Sequence, residues 1–381
     1  MDIFSLNLRH LRAAAEIERL GSISAAAQAV SLTQPAVTQA LSRLEGQLGV
    51  ALFDRQPIGM APTGAAQVLA PRVRRALHQI GSPRVTMAEV RAFIALADAG
   101  SYVGASIITG LSQSSLHRAV RDLSVALRRN LVERRGRGLA LTEAGRRTAR
   151  GFRLARAELE AGLSEVGRLE GREAGRVAIG AMPLSRARLL PGAVMALHRQ
   201  WPDATIEIVE GSHAELLEPL RDGALDLMIG ALREVAPADL VQAPLLKDRP
   251  VVVARAGHPL AGREPTTDDL TRFPWAIAAR GTPLRRLWLR MFDEAGLAPP
   301  PVPVECGSVM TIRQILMESD FLTLLAVDQI AVELEAGWLV RLCDAPAQMM
   351  RTIGFTTRAD WRPTALQRAM LGLLEEQASV E

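Results

Sequence analysis

The chain has 381 residues, of which 48% are hydrophobic and 23% are charged, and this length and apolar content suit two or three globular domains. Two cysteines, Cys306 and Cys343, are too few for a disulfide framework, and no apolar run reaches the roughly 20 residues that a membrane span requires. Because the N-terminus lacks the pattern of an export signal, we expect a cytoplasmic protein with reduced thiols.

Charge is distributed unevenly along the chain. Residues 1–174 contain 24 Arg and Lys against 15 Asp and Glu, a net charge of +9, and the remainder contains 21 against 26, a net charge of −5. A basic part joined to an acidic part indicates a polyanionic partner for the first and a different role for the second.

One segment of the basic part occurs twice. Leu8–Thr63 is repeated as Met87–Thr142 at a constant offset of 79 residues. The offset superimposes identical residues without a gap, among them Gly21 and Gly100, Gln34 and Gln113, Leu44 and Leu123, and Arg55 and Arg134. A fixed period of this length indicates two copies of one structural unit.

The first copy carries the signals of a helix-turn-helix followed by a wing. An apolar helical stripe starts at Leu8 and ends near Gly21, and Ser22 or Ser24 can cap a short helix over residues 25–30. Thr33 is a good N-cap for a helix from Gln34 to Leu48. A proline is tolerated at the second position of this helix, because the N–H groups of the first turn have no partner within the helix. Residues 50–63 can form a small wing.

The helix from Gln34 to Leu48 has one apolar and one polar face. The apolar face contains Val37, Leu41, Leu44 and Leu48, and the polar face contains Gln34, Thr38, Gln39, Ser42 and Arg43. In a helix-turn-helix, residues near the N-terminus of this helix meet base edges in the major groove, where glutamine pairs with adenine and threonine touches a thymine methyl group.

The string SISAAAQAVSLTQPAVTQALSRLEGQLGVALFDR, residues 22–55, resembles the DNA-binding domain of LysR-type transcriptional regulators. By that resemblance Gln34, Pro35, Thr38 and Gln39 approach DNA, and Arg55 holds the DNA backbone at the wing. Arg43 lies on the same polar face and is a further candidate. Helix-turn-helix units also serve as packing or dimerisation modules, and this alternative remains open for either copy.

The second copy keeps the skeleton and changes the surface. Ser112 can cap a helix that buries Leu116, Val120, Leu123 and Leu127. Residues 103–143 carry a net charge of +4, whereas the equivalent residues 24–64 carry none, so the second copy suits phosphates better. The candidate DNA-binding residues of the second copy are Gln113, Ser114, His117, Arg118, Arg121, Arg134 and Arg135.

The helices that follow the two wings differ in length. The first runs from Gly64 to about Gln79 before Gly81, and the second runs from Thr142 to about Leu169. In LysR-type regulators one long helix after the wing pairs two chains and leads into an effector domain. The resemblance therefore gives the second helix a dimer seam formed by Ala149, Leu154, Leu159, Leu163 and Val166, and makes the first copy an addition in front.

From Gly175 onward, short apolar strands alternate with helices. The strands are predicted at residues 176–180, 205–209 and 225–229, and the helices at residues 189–200 and 214–222. This alternation favours a mainly parallel α/β sheet. The order resembles the LysR effector domain, a two-lobed fold of the type 2 periplasmic-binding-protein class.

Ligands of such sheets bind at the carboxyl ends of strands, near helix N-termini. That rule selects residues 182–185, 211–212, 280–284 and 307–311, and the resemblance makes these loops the lining of an inducer cleft. The candidate inducer-binding residues are Met182, Pro183, Leu184, Ser185, Ser212, Gly281, Thr282, Ser308 and Val309.

The first of these loops bears on the identity of the inducer. LysR-type regulators often place Ser or Thr at two positions there to hold a carboxylate, and here Leu184 takes one position and only Ser185 is polar. The strings GAMPLSRARLLP, RGTPLRR and TTRADWRPT look more like a sugar-responsive subgroup related to the galactose-binding protein regulator. Trp275, Trp338 and Trp361 are candidates to stack on a sugar, with core packing as the alternative.

The sequence predicts an α/β multidomain regulator without a cofactor or a metal. The predicted domains are two tandem winged helix-turn-helix units at 1–80 and 84–141, a linker and dimerisation helix at 142–172, and a two-lobed effector domain at 175–381. Its partners would be double-stranded operator DNA, a sugar or organic acid as inducer, RNA polymerase, and a second or further copies in a homodimer or homotetramer, with no membrane.

Two other classes of function are alternatives to this regulator. The sequence contains no HExxH, GxSxG or phosphate-cradling glycine motif, which disfavours an enzyme. The remaining alternative is a cytoplasmic solute-binding or sensor protein in which one or both helix-turn-helix copies serve only in oligomerisation.

Overall fold

The computed structural model describes residues 2–57, 59–135, 138–172, 175–185 and 188–380, without the side chains of Arg135, Leu184 and Val380. The chain forms two compact units. Unit 1 contains Met1–Arg176 with the short segments Asp203–Thr205 and Arg221–Ala224, and unit 2 contains the remainder. Each unit is built around its own core, because the apolar stripes of its helices and strands face one another.

Unit 1 begins with the first copy of the repeated module. A 3-10 turn at Ile3–Ser5 precedes the helices and strands of this copy, which are α1 (Leu8–Leu20), α2 (Ile23–Ala29), α3 (Gln34–Leu48), β1 (Phe53–Arg55), β2 (Met60–Pro62) and α4 (Gly64–Ile80). The second copy has the same order, with α5 (Met87–Ala99), α6 (Tyr102–Thr109), α7 (Gln113–Leu127), β3 (Val132–Arg135), β4 (Gly138–Leu141) and α8 (Glu143–Leu169).

Side-chain caps fix where these helices begin. In the first copy Ser22, Thr33 and Thr63 accept backbone N–H bonds at the starts of α2, α3 and α4. Their equivalents Ser101, Ser112 and Thr142 cap α6, α7 and α8. Each such cap contributes about 1 kcal/mol to helix stability. Ser22 rather than Ser24 caps α2, so this helix starts two residues earlier than predicted.

The linker helices α4 and α8 share one hydrophobic core. Ala149, Leu159 and Val166 of α8 are buried in a cluster that also contains Leu69, Val73 and Ala76 of α4, and Leu163 packs against that cluster. The sequence assigned this face of α8 to a second chain. In the structure α4 of the same chain takes that place. Leu127, predicted to be buried on α7, is only half-buried.

Unit 2 contains the remaining elements. Its helices are α9 (Leu189–Gln200), α10 (His213–Arg221), α11 (Thr267–Thr271), α12 (Pro283–Asp293), α13 (Val309–Met317), α14 (Ala331–Glu335) and α15 (Ala365–Val380). Its strands are β5 (Arg176–Ala181), β6 (Thr205–Glu210), β7 (Leu227–Ala231), β8 (Leu240–Asp248), β9 (Val251–Arg255), β10 (Ala276–Ile277), β11 (Val304–Glu305), β12 (Thr323–Leu325), β13 (Leu339–Asp344) and β14 (Arg351–Arg358).

The strands of unit 2 form a five-stranded sheet and smaller sheets. The five-stranded sheet has the order β6-β5-β7-β14-β8, with β5 parallel to β7 and β14 antiparallel to both its neighbours. In the second lobe β9 pairs antiparallel with β12 and β13, and β10 pairs parallel with β11. The prediction of a mainly parallel sheet is therefore wrong in part, because chain returns such as β14 enter the sheets antiparallel.

One predicted strand is displaced. Strand β7 covers Leu227–Ala231 instead of residues 225–229, because the Leu225 N–H bonds to the Pro219 carbonyl in a turn. Asp226 then fastens the strand to its neighbour, since its carboxylate accepts the Ala178 N–H at 2.8 Å. In the part of the chain that the structure describes, no helix is long and apolar enough to cross a membrane.

Candidate nucleic-acid interface and ligand cavity

Helix α3 presents the first candidate DNA-reading surface. Gln34, Pro35, Gln39 and Arg43 are exposed and Thr38 is half-buried, whereas Val37 lies in the core on the opposite side. Two of these polar side chains are already oriented within the module. The Gln34 amide oxygen accepts from the Ser24 hydroxyl at 3.2 Å, and the Thr38 hydroxyl donates to the Gln34 carbonyl at 3.0 Å.

The wing of the first copy is fixed to α3. The Glu45 carboxylate accepts the backbone N–H groups of Leu52 and Phe53 at 2.8 and 3.3 Å, which holds the start of β1. Arg55 is exposed at the end of β1 and pairs in register with Met60 of β2. An exposed guanidinium on a wing that is held against the recognition helix can reach a phosphate flanking the major groove.

Helix α7 presents the second candidate surface. Gln113, Ser114, His117, Arg118 and Arg121 are all exposed. The His117 ring stacks on Tyr102 of α6 with ring centroids 3.6 Å apart, so the imidazole is held on the surface rather than free to rotate. In the wing, Arg134 is exposed on β3, and the side chain of Arg135 lies outside what the structure describes.

The two surfaces differ in charge. Arg118, Arg121, Arg128, Arg129 and Arg134 of the second copy are exposed. At the corresponding positions the first copy has Gln39, Ser42, Gly49, Val50 and Arg55. Since each neutralised phosphate adds to affinity through counterion release, the second surface suits the DNA backbone better, and the polar first surface suits base edges.

Unit 2 encloses a cavity of about 850 Å³ between its two lobes. The predicted residues Met182, Pro183, Ser212, Thr282, Ser308 and Val309 line it. Each of the four predicted loops therefore contributes to the wall, and the rule that ligands bind at carboxyl ends of strands found the cavity from the sequence.

Of the other predicted ligand residues, Ser185 and Gly281 are absent from the described lining of the cavity. Ser185 is completely buried and its hydroxyl donates to the Met182 carbonyl at 3.1 Å, so it holds the loop together instead of facing a ligand. Gly281, with φ of +82°, forms the turn before α12 and is absent from the described lining. The side chain of Leu184 lies outside the described part of the chain.

The three tryptophans proposed for sugar stacking are absent from the described lining of the cavity. Trp275 is completely buried, and its ring packs edge-on against Trp288 and Phe292 at 5.5 and 5.9 Å between centroids. Trp338 is about half exposed and Trp361 is half-buried. Core packing is thus the role of Trp275.

Helix N-termini border the cavity. Thr282 caps α12 and Ser308 caps α13, each accepting a backbone N–H at 3.3 Å. Ser212 lies at the start of α10, where the Glu215 carboxylate accepts its N–H at 2.7 Å. The uncompensated N–H groups and the dipoles of α12 and α13 favour a negatively charged or hydroxyl-bearing ligand.

Charged and polar residues that the sequence analysis missed also line the cavity. Arg351 forms an ion pair with Asp248 at 2.5 Å, and the Nη2 atom of this nearly buried arginine has no hydrogen-bond partner among the described residues. The Oγ1 atom of Thr323, a completely buried residue, also has no hydrogen-bond partner among the described residues. Thr323 begins β12 and Arg351 begins β14. Both residues lie far from any motif, so no sequence signal marked them.

Arg233 adds a guanidinium to the cavity wall two residues after the end of β7. Burial and, to a smaller extent, the neighbouring Arg286 guanidinium lower the pKa of Arg233. An anion bound beside Arg233 would offset both effects. Its position at the carboxyl end of β7 is one that the strand-end rule could have selected.

Paired winged helix-turn-helix modules joined to a two-lobed ligand-binding unit define a ligand-responsive DNA-binding regulator. Comparison with known proteins gives its family. The profile of the bacterial regulatory helix-turn-helix protein, lysR family, matches residues 8–67 and again 87–146, and that of the LysR substrate binding domain matches residues 170–379. The chain belongs to the LysR family of transcriptional regulators. The two helix-turn-helix matches differ by the same 79 residues as the repeat.

Individual relatives agree with this family. The HTH-type transcriptional regulator GalR of Pseudomonas putida is 32% identical over 373 residues, 94% of each chain, and so aligns with both modules. The SDS degradation transcriptional activation protein of a Pseudomonas species is 29% identical over 76% of this chain and 95% of its own. The crystal structure of ArgP from Mycobacterium tuberculosis, 18% identical, matches 76% of this chain and 96% of its own with a TM-score of 0.58.

Proposed function

We propose that this chain binds operator DNA through both α3 and α7 and that a small molecule in the cavity of unit 2 controls transcription. The observation that carries the proposal is the joint presence of exposed polar helix faces in unit 1 and a cavity with partnerless polar atoms in unit 2. RNA polymerase as a further partner, assembly into dimers or tetramers, a cytoplasmic location and the absence of catalysis belong to the same proposal.

The two DNA-reading surfaces divide their work in this proposal. The second surface provides most of the affinity for DNA phosphates through its arginines. The first surface provides the preference for particular base pairs through Gln34, Thr38 and Gln39. A small molecule acts by favouring one arrangement of the lobes and one spacing of the DNA-bound modules.

Binding assays on paired substitutions test this division. Arg118→Ala with Arg121→Ala should weaken binding to all sequences and lower the salt dependence by about two units of slope. Gln34→Ala with Thr38→Ala should cost about 1–3 kcal/mol on the operator and little on unrelated DNA. An unchanged affinity of the second pair for the operator would reduce the first copy to a structural role.

The inducer proposed for the cavity is a small organic acid. The Arg233 guanidinium and the N-termini of α12 and α13 favour a carboxylate, and since Glu210, Glu215 and Glu333 also line the cavity, that carboxylate is expected on the side of Arg233. A sugar is the second candidate from the sequence, but the absence of the three candidate tryptophans from the described lining gives it less support.

Thermal-shift and calorimetric titrations with matched panels of small carboxylic acids and hexoses distinguish these ligands. Arg233→Gln should lower the affinity for a carboxylate at least tenfold, because a hydrogen bond to a charged group contributes about 1.5–3 kcal/mol. The exposed Arg290→Gln on α12 is the control and should change nothing. Binding of a hexose that is insensitive to Arg233→Gln would overturn the choice of an acid.

Gel shifts on DNA upstream of the chain's own gene, with and without the compounds that bind, test the regulator as a whole. Sequence-specific binding that a ligand changes is the expected result. A chain that binds the ligand and shows no preference for any DNA would instead be a sensor whose helix-turn-helix modules serve in assembly.

A further inference from the structure

Helices α4 and α8 of one chain pack antiparallel along their whole common length. At one end a Cβ atom on Gly64 would lie 3.7 Å from the Leu169 side chain, and at the other end a Cβ on Gly151 would lie 2.8 Å from the Gln79 carbonyl oxygen. Between them Arg72 forms an ion pair with Glu158 at 3.2 Å. The glycines at these contacts allow the helices to approach closely.

The contacts between these helices obey the repeat. A two-fold axis that exchanges the copies moves residue i of α4 to the place of residue i + 79 of α8, and residue j of α8 to the place of residue j − 79 of α4. A contact between i and j therefore implies a second contact between j − 79 and i + 79. The contact of Arg72 with Glu158 thereby becomes the contact of Gln79 with Gly151, and both occur. Because i + j is nearly constant along an antiparallel pair, these contacts place equivalent residues opposite each other within α4 and α8, as a local two-fold axis between the copies requires.

The centre of this helix pair falls on equivalent small residues. It lies between residues 75 and 76 on α4 and between residues 154 and 155 on α8, midway between the two image contacts. Ala76 and Ala155 are 0% and 1% exposed and are equivalent under the offset of 79. The helices therefore face each other through equivalent residues, as a two-fold axis that relates the two copies requires.

Each winged module packs on its own linker helix, and an equivalent arginine holds it there. Helix α1 packs on α4 and α5 packs on α8. Arg74 of α4 pairs with Glu18 near the end of α1, and the equivalent Arg153 of α8 pairs at 2.5 Å with Asp98 near the end of α5. The axis that relates the helices consequently relates the whole DNA-reading modules.

Ion pairs at this seam select α4 and α8 over two identical helices. Arg72 is 7% exposed and pairs with Glu158 and Glu165 of α8, and Arg75 also pairs with Glu158. In a pair of two α8 helices Gly151 would replace Arg72, so Glu158 and Glu165 would lose this buried guanidinium. Removing one partner of a buried ion pair is strongly destabilising.

We infer that a single chain reads a two-part operator, with one half-site under α3 and the other, inverted and of different sequence, under α7. The inversion follows from the two-fold axis, since modules related in this way meet half-sites of opposite orientation. The difference in sequence follows from the side chains, because Thr38 and Gln39 of α3 are replaced by His117 and Arg118 on α7. This inference rests on the proposed function that both copies contact DNA.

Chemical cross-linking tests whether the pair forms within one chain. Ala76→Cys and Ala155→Cys are introduced singly and together into the full chain carrying Cys306→Ser and Cys343→Ser, and a mild oxidant is added so that thiols in contact within the seam form a disulfide. The double variant should cross-link within single chains. Peptide mass spectrometry would show the linked pair of peptides, and a denaturing gel would show that the product is still a monomer. Cross-linked dimers from the Ala155→Cys variant alone would mean that α8 pairs between chains, and would overturn the inference.

Selection of binding sites from random duplexes by the full chain tests the operator. The expected motif has two unlike halves in inverted orientation, and removal of either half should lower affinity at least tenfold. Gln34→Ala with Gln39→Ala should erase the preference in one half only, and Gln113→Ala with Arg118→Ala in the other. A direct repeat or a palindrome of identical halves would overturn this inference and leave the proposed regulator intact, whereas no motif at all would contradict both.

Discussion

At the scale of residues, the two copies of the module adopt the same left-handed backbone conformation at equivalent turns with different residue types. The turn before the recognition helix is left-handed in both, with φ of 55° at Ser31 and 72° at Gly110. The recognition helix ends in the same conformation, at Gly49 with φ of 72° and at Arg128 with φ of 52°. A residue with a Cβ is disfavoured in this region, so each copy carries strain at one position that the other relieves with glycine.

Exchanging these turn residues tests the strain. Ser31→Gly should raise the free energy of unfolding by about 1 kcal/mol, because glycine adopts the left-handed conformation without steric cost. The reciprocal Gly110→Ser should lower it by a similar amount. Urea unfolding of both variants, followed by circular dichroism, measures the change. Equal stability of all three proteins would show that the turn carries no strain.

The two cysteines are predicted to differ in reactivity. Burial, followed by the charge of Asp344, raises the pKa of Cys343 to about 11, so below that pH this thiol stays protonated and unreactive. Cys306 lines the cavity beside Ser308. At pH 8 iodoacetamide should therefore modify Cys306 first, and a bound inducer should slow that reaction, as peptide mass spectrometry can measure. Faster modification of Cys343 would contradict the prediction.

At the scale of elements, the sequence predicted what local signals control. Caps such as Thr33 and Ser112 and the glycines after α1 and α3 fixed the helix bounds to within two residues. The partner of α8 was not predictable in this way, because its apolar stripe is compatible with α4 or with a second chain. Likewise the role of Arg351 depends on an ion pair with Asp248, 103 residues away in the sequence. An apolar strand also does not encode its direction in a sheet.

Glycine-to-alanine substitutions on α8 and on α3 are expected to have opposite effects on stability. Gly151→Ala places a Cβ 2.8 Å from the Gln79 carbonyl oxygen, and the resulting shift should cost about 1–3 kcal/mol. Gly46→Ala on α3 meets nothing within 4 Å and should stabilise the chain by about 0.5–1 kcal/mol through helix propensity. Thermal unfolding measures both. A stabilising Gly151→Ala would contradict the close packing of the linker helices.

At the scale of the whole molecule, pairing within one chain changes what association of chains adds. In the proposed arrangement a single chain already holds a pair of DNA-reading modules, so a homodimer brings a second pair instead of completing the first. The arginines of α7 and its wing then act in both pairs, and the affinity of the assembly should fall steeply with salt.

The length of the protected DNA tests this arrangement. A homodimer of this chain carries four reading modules, and half-sites in helix-turn-helix complexes lie about 10 base pairs apart or at multiples of that distance. Nuclease footprints at concentrations where two chains bind should therefore be longer than those of a LysR-family dimer with one module per chain. The charge-neutralised Arg118→Ala and Arg121→Ala variant should bind more weakly and, at saturation, protect the same length. A wild-type footprint no longer than that of the single-module relative would mean that only one pair of modules contacts DNA.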